Sequence, residues 1–221
     1  MTTRLFVAAV LAACGLFWAP LAHADLISIG LQEANTNGGA ITTQTSSSGD
    51  TGIVGVTYGT FLFNNVSAMD TTDLGLPDIL FSNSINASSA SAGTIHVWIT
   101  AQGLTQPTGI ANLNSSFTSN ALPAGWTVTE STYYSSTNAL YGGTLVSSTT
   151  FNSIGTNEQY GLINFSSLFS VTQEYTITST GRGTANDTID TSVPEPGSLL
   201  LLGTALLGIG AVGRIGRRRT I

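Results

Sequence analysis

The chain contains no lysine, and five of its six arginines lie at its two ends. Between Asp25 and Val193 there is one arginine, Arg182, against eleven acidic residues, a formal charge of −10. Nucleic acids and anionic membrane surfaces are bound through clusters of basic side chains, which this stretch lacks. The composition therefore excludes DNA and RNA as partners. The stretch has 169 residues, enough for one hydrophobic core and few for two domains.

Cysteine is nearly absent as well. The one cysteine, Cys14, lies within the first apolar run of the sequence. A mature chain without that run has no thiol, so disulfides, thiolate catalysis and cysteine metal sites are excluded for it.

The sequence also lacks the short motifs of common catalytic sites. It has no Gly-x-Ser-x-Gly, no His-Glu-x-x-His and no glycine-rich phosphate loop. His96 has Val97 and Trp98 beside it, which favours an ordinary histidine on a sheet face over a catalytic one. A pair of carboxylates could hydrolyse glycosides, but the sequence does not give their separation. We therefore expect a protein that is not an enzyme and needs no cofactor.

The N-terminus has the three-part layout of a secretory signal peptide. Arg4 precedes an apolar run from Leu5 to Ala19, and Pro20 then breaks any helix. Ala22 and Ala24 occupy the Ala-x-Ala positions that signal peptidase accepts. We expect residues 1–24 to be removed after Ala24 by signal peptidase, following export by the secretion machinery.

Two other interpretations of this end stay open. One is an N-terminal anchor that is not cleaved. The other is lipidation of Cys14, because Leu11 to Cys14 resembles a lipobox. The apolar run continues past Cys14 through Leu16, Phe17 and Trp18, which favours the signal peptide over the lipobox.

The C-terminus combines a proline-flanked glutamate, an apolar segment and a basic cluster. Pro194, Glu195 and Pro196 precede Gly197 to Gly213, which are 17 residues without a charge. As a helix this segment would span about 26 Å, near the ~30 Å of a hydrocarbon core. The arginines after it predict a cytoplasmic C-terminus and an external body. They are Arg214, Arg217, Arg218 and Arg219.

An ordinary type I tail anchor would have the apolar segment and the basic cluster, without the proline-flanked glutamate. The complete order over residues 193–221 resembles the PEP-CTERM sorting signal. That resemblance implies recognition by exosortase, a membrane-embedded enzyme, with the tail removed or exchanged near Pro194, Glu195 and Pro196. It also implies bacteria that make extracellular polysaccharide, and a protein that is anchored in the membrane first and is later found on the cell surface or in the extracellular matrix. Residues 25–192 are then the exported domain.

The exported domain has the composition of β-structure. It is rich in Thr, Ser, Val, Ile, Tyr and Phe and shows no helical periodicity. Alternation is clearest over 94–100 and 171–178. We expect an all-β fold, an antiparallel β-sandwich or jelly roll, with helices only in the two terminal segments. The other expected strands are 26–32, 39–45, 53–63, 78–83, 125–134, 140–151 and 184–190, while 155–170 is undecided and could hold a short helix.

Two kinds of ligand site are candidates within this domain. Asp70, Asp73 and Asp78 could supply oxygen ligands for calcium from one loop, although their spacing does not match an EF-hand. Trp98 and Trp126 could stack on sugar rings, as could three tyrosines, Tyr133, Tyr134 and Tyr141, although core packing is the commoner fate of aromatic side chains.

Two functions are therefore open. One is a non-enzymatic surface or matrix protein, and the other is a carbohydrate-binding module or weak glycoside hydrolase acting on extracellular polysaccharide.

Overall fold

The computed structural model describes residues 26–47, 49–69 and 78–194, without the side chains of residues 78, 79, 81 and 82. The predicted signal peptide, the apolar segment and the arginine cluster lie outside these residues. Within them, no helix is long and apolar enough to cross a membrane.

Two antiparallel sheets pack against each other, which confirms the all-β prediction. Sheet A has six strands in the order β10-β9-β12-β7-β1-β2. Its strands, in chain order, are β1 (Leu26–Glu33), β2 (Thr42–Ser46), β7 (Ala92–Leu104), β9 (Thr127–Ser135), β10 (Thr144–Phe151) and β12 (Phe169–Thr180).

Sheet B has the order β11-β8-β13-β6-β5-β3, with a short β4 pairing with β5. Its strands are β3 (Asp50–Ile53), β4 (Val56–Tyr58), β5 (Phe61–Met69), β6 (Asp78–Ser89), β8 (Gly109–Ala121), β11 (Gly155–Phe165) and β13 (Gly183–Ser192). One turn of 3-10 helix, Asn37–Gly39, joins β1 to β2 with positive φ at all three residues. That turn is the glycine-rich connection that the sequence offers between two strands.

Alternation along the central strands fills the space between the sheets. In β7, Ile95, Val97 and Ile99 are fully buried, while the side chains between them face outward. In β12, Tyr175 and Ile177 are likewise fully buried, and the side chain between them faces outward. Both alternating segments recognised in the sequence are therefore confirmed as strands with one face in the core.

Two parts of the sequence prediction need correction. The undecided segment 155–170 holds no helix; it forms β11 and the start of β12. Its alternation is hard to recognise because Tyr160 and Leu162 point outward, 61% and 72% exposed. β8 was not expected at all, since half of its inward positions are serines, Ser115 and Ser119.

A glutamine side chain bridges the two sheets at each edge of the sandwich. At one edge, Gln159 of β11 donates from Nε2 to the Ser148 carbonyl at 2.8 Å and accepts from the Ser148 N–H at 3.3 Å. At the other edge, Gln44 of β2 donates to the Gly52 carbonyl of β3 at 3.1 Å. These contacts occupy backbone groups of edge strands, which would otherwise be open to pairing with another chain.

Candidate functional site

The outer face of sheet A is a flat surface covered by hydroxyl groups. Its threonines and serines pair across neighbouring strands: Ser28 with Thr45, Thr94 with Thr178, Thr100 with Thr172, Thr129 with Thr150, and Ser131 with Ser148, all at 2.8 to 3.1 Å. Within the described residues, Glu174 is the one carboxylate on this face. The surface is polar and carries little charge.

Three aromatic side chains form a row across this face, here called the aromatic row: His96, Trp98 and Tyr141. His96 and Trp98 stack with ring centroids 5.5 Å apart and an interplanar angle of 12°. Tyr141 also contacts Trp98, with centroids 5.8 Å apart and planes at 41°. All three rings are partly exposed. The row therefore places partly exposed rings next to hydroxyl groups.

A carboxylate holds one end of the row in place. Oε1 of Glu174 lies 2.9 Å from Nδ1 of His96, and Oε2 accepts from the Tyr133 hydroxyl at 2.8 Å. Burial raises the pKa of Glu174, but hydrogen bonds from His96, Tyr133 and Thr176 outweigh it and leave that pKa below its ordinary value. Glu174 is thus an ionised acceptor, so Nδ1 of His96 carries a proton and faces it. In neutral His96, Nε2 is then the acceptor nitrogen.

Tyr133 acts as a fixed donor to the same carboxylate. Burial and the hydrogen bond to Glu174 raise the pKa of Tyr133 to about 12. The phenol therefore keeps its proton under all physiological conditions. Both oxygens of Glu174 are engaged by protein groups.

The loop between β9 and β10, residues 136–143, holds the other end of the row. Asn138, with φ of 56°, accepts from the Gly103 N–H through its side-chain oxygen at 2.8 Å. Tyr141 then reaches across to β1 and β2, donating from its hydroxyl to Thr43 at 3.0 Å. Its ring covers Gly30, where a Cβ atom would come within 2.6 Å of the ring. Glycine at position 30 makes this close approach possible.

The arrangement is suited to binding and not to hydrolysis by two carboxylates. Inverting and retaining glycosidases need a pair of carboxyl groups flanking the bond that is cut. The outer face of sheet A presents Glu174 alone among its described residues, with both oxygens already hydrogen-bonded.

The two tryptophans predicted to stack on sugars have different positions. Trp98 lies on the outer face in the aromatic row. Trp126 is 1% exposed and packs edge-on against Phe61, with centroids 6.3 Å apart, so it offers no face to a sugar. Tyr134 is likewise buried against Phe165 and Phe169.

The remaining predicted sites fall largely outside the described residues. Asp70 and Asp73 are not described, and of Asp78 only its backbone at the start of β6 is. Across residues 26–47, 49–69 and 78–194 no cluster of three or more His, Cys, Asp or Glu side chains could hold a metal ion. Pro194 is exposed at the end of the described chain. The other predicted positions that lie outside it are Ala22, Ala24, Glu195, Pro196, Arg214, Arg217, Arg218 and Arg219.

Sequence reasoning missed the contact between His96 and Glu174. Both residues lie on the polar face of a correctly predicted strand, but 78 positions separate them. The register between β7 and β12 places Trp98 opposite Glu174, and alternation along each strand does not predict this register.

Comparisons with known proteins show little similarity. No protein-family model and no curated protein matches the chain. Among the solved structures, one match is TmCBM61 in complex with β-1,4-galactotriose, at 10% sequence identity and a TM-score of 0.33, covering 52% of this chain and 71% of that chain. At that TM-score the likeness carries no conclusion about ligand or activity.

Proposed function

We propose that this chain is an exported, non-enzymatic surface or matrix protein whose β-sandwich binds carbohydrate on the outer face of sheet A. The aromatic row is the observation that carries the proposal. Sugars present C–H groups that pack on aromatic rings and hydroxyl groups that hydrogen-bond to polar side chains. The aromatic row places partly exposed rings beside a surface of threonine and serine hydroxyl groups. Glu174, His96 and Tyr133 fix the geometry of one end before any ligand arrives.

The charge of the domain favours a neutral polysaccharide. Residues 25–193 carry a formal charge of −10 and no lysine. A polymer of uronic acids or sulfated sugars would be repelled by this field at low ionic strength. We therefore expect neutral glycans to bind and anionic glycans to be excluded.

Binding can be tested by affinity electrophoresis and calorimetry with a panel of neutral and anionic polysaccharides. Trp98→Ala should remove binding or weaken it at least about tenfold, since one well-packed aromatic contact contributes about 1.4 kcal/mol or more. Tyr160→Ala is the matched control, because Tyr160 is an exposed aromatic residue on sheet B. Equal binding by the wild type and Trp98→Ala would exclude the aromatic row as the site. An absence of binding to every glycan would leave a displayed protein with no carbohydrate ligand.

The sorting of the chain is a separate part of the proposal. It rests on the order of Pro194, Glu195 and Pro196, the apolar segment 197–213 and the arginine cluster. Prolines keep the motif extended and outside the following helix, where a membrane-embedded exosortase could reach it.

Mass spectrometry of the mature protein from a host with exosortase tests this part. The wild type should begin at Asp25 and lose its tail near Pro194, while Glu195→Ala should keep Ile221. An intact Ile221 in both would reduce the segment to a plain tail anchor.

A further inference from the structure

Two carboxylates lie inside the sandwich, between the two sheets. Glu130 of β9 and Asp187 of β13 are both 0% exposed. Among the described residues, none of their four side-chain oxygens has a partner with full hydrogen-bond geometry, although the Thr118 backbone lies near Glu130 and the Ser119 side chain near Asp187, and each lowers the pKa of its carboxyl group somewhat. Buried carboxylates are normally paired, hydrogen-bonded or bound to a metal, so this pair requires a partner of another kind.

No basic side chain of the described residues lies near them. In the described residues the basic side chains are Arg182, exposed in the turn between β12 and β13, and His96, on the outer face of sheet A. Neither is directed into the space between the sheets. Since the described residues supply no positive charge there, protons or a cation from solution are the candidates to neutralise Glu130 and Asp187.

A third oxygen faces the same place. Ser119 is the register partner of Asp187 across β8 and β13, is 2% exposed, and its side chain lies near the Asp187 carboxyl group without full hydrogen-bond geometry. Tyr175 is the register partner of Glu130 on β12 and is fully buried. The surroundings of the pair therefore offer oxygen atoms, with no thiolate or imidazole.

The carboxylates are also close enough to influence each other. Burial and then the charge of Asp187 raise the pKa of Glu130 to about 9, and burial raises the pKa of Asp187 to about 7. Without a cation, Glu130 therefore keeps its proton at neutral pH, while Asp187 is about half protonated.

We propose that Glu130, Asp187 and Ser119 form an internal binding site for a divalent cation of the calcium type. Calcium takes carboxylate, hydroxyl and carbonyl oxygens in flexible geometry, whereas magnesium loses its bound water reluctantly and transition metals favour nitrogen or sulfur. The cation would join β9 of sheet A to β13 and β8 of sheet B. This site is distinct from the loop carboxylates Asp70, Asp73 and Asp78, and it does not depend on carbohydrate binding.

The test uses the full chain in mild detergent at pH 7.5. Its melting temperature is measured in EDTA, in 2 mM CaCl₂ and in 2 mM MgCl₂, and Tb³⁺ luminescence excited through tyrosine reports binding directly, since Tyr175 lies beside Glu130. We expect calcium to raise the melting temperature by at least about 5 °C, magnesium to raise it much less, and Tb³⁺ emission to be displaced by calcium.

Isosteric variants locate the site. Glu130→Gln and Asp187→Asn should each lose the calcium shift and the Tb³⁺ signal, whereas Asp73→Asn should keep both. If calcium does not raise the melting temperature of the wild type and no Tb³⁺ emission is seen, the proposal is overturned. Glu130 and Asp187 would then bind protons and no cation. A shift that survives in Glu130→Gln and Asp187→Asn but is lost in Asp73→Asn would overturn it in favour of the loop. If a variant fails to fold, the wild-type measurement alone still decides whether calcium binds.

Discussion

In a chelating buffer, the buried pair Glu130 and Asp187 should make the fold less stable as the pH rises. The pKa of Glu130 is about 9 in the fold against an ordinary 4.5, and that of Asp187 is about 7 against 3.8. The folded chain therefore holds protons that the unfolded chain releases. Their contribution to stability is complete below about pH 4 and is lost as the pH rises toward 9.

The expected loss between pH 5 and pH 7 is large for one domain. Each retained proton changes the free energy of unfolding by about 1.4 kcal/mol per pH unit. Glu130 then accounts for about 3 kcal/mol, and Asp187, which begins to ionise in this range, for about 2 kcal/mol. At about 2 to 4 °C per kcal/mol, the melting temperature should fall by about 10 to 20 °C.

Thermal melts in EDTA at half-unit steps from pH 4.5 to pH 8 measure this slope by circular dichroism. Glu130→Gln should reduce the slope by more than half, because the amide does not titrate. Glu158→Gln is the control, since Glu158 is exposed on β11 and should leave the slope unchanged. A flat profile in the wild type, or an equal slope in Glu130→Gln, would refute the reasoning that this carboxyl group is buried and protonated.

Three further changes test the packing of the aromatic row, the core and one edge of the sandwich. Gly30→Val should push the Tyr141 ring away from sheet A and weaken glycan binding about tenfold, with an unchanged far-ultraviolet circular dichroism spectrum showing that the fold persists. Trp126→Ala should lower the free energy of unfolding by about 3 to 5 kcal/mol in urea titrations, because it removes a buried indole ring. Gln159→Leu should remove the bridge between the sheets at one edge, costing about 1 to 2 kcal/mol and increasing self-association in light scattering.

The sequence predicted the strands whose apolar residues follow a strict alternation. β7 could be recognised because Ile95, Val97 and Ile99 are all large and all on one face. β8 could not, because serine occupies two of its inward positions and asparagine many of its outward ones. Local alternation identifies a strand only where the buried face is apolar, and this sandwich buries many hydroxyl groups.

The candidate site was predictable only in part for a related reason. The partial exposure of Trp98 follows from its phase in β7, opposite to Ile95 and Ile99. Its neighbours Glu174 and Tyr141 come from distant parts of the chain, and nothing local sets the pairing of β7 with β12 or the path of the 136–143 loop. The phase of β9 does place Glu130 on the face of Val128, but charged side chains are expected on the surface, so the pattern was not interpreted as burial.

A comparison with Glu33 shows why burial alone does not explain the interior pair. Glu33 is 6% exposed, nearly as buried as Glu130, yet its oxygens accept from the Thr60 N–H at 2.8 Å, the Thr60 hydroxyl at 2.6 Å and the Thr36 hydroxyl at 3.3 Å. These donors satisfy both oxygens of the Glu33 side chain, so Glu33→Gln, which replaces one acceptor oxygen with a donor, should lower the free energy of unfolding at pH 7 by about 1 to 3 kcal/mol.

Glu130→Gln, in a chelating buffer at pH 8, should have the opposite effect and raise stability. Folding of the wild type at that pH requires Glu130 to take up a proton that the unfolded chain has released, and this uptake costs free energy. Urea titrations of both variants and the wild type at pH 8 in EDTA measure whether each substitution raises or lowers the free energy of unfolding. A loss of stability in both would mean that Glu130 has donors like those of Glu33 and does not need a proton or a cation, which would remove the basis of the internal site.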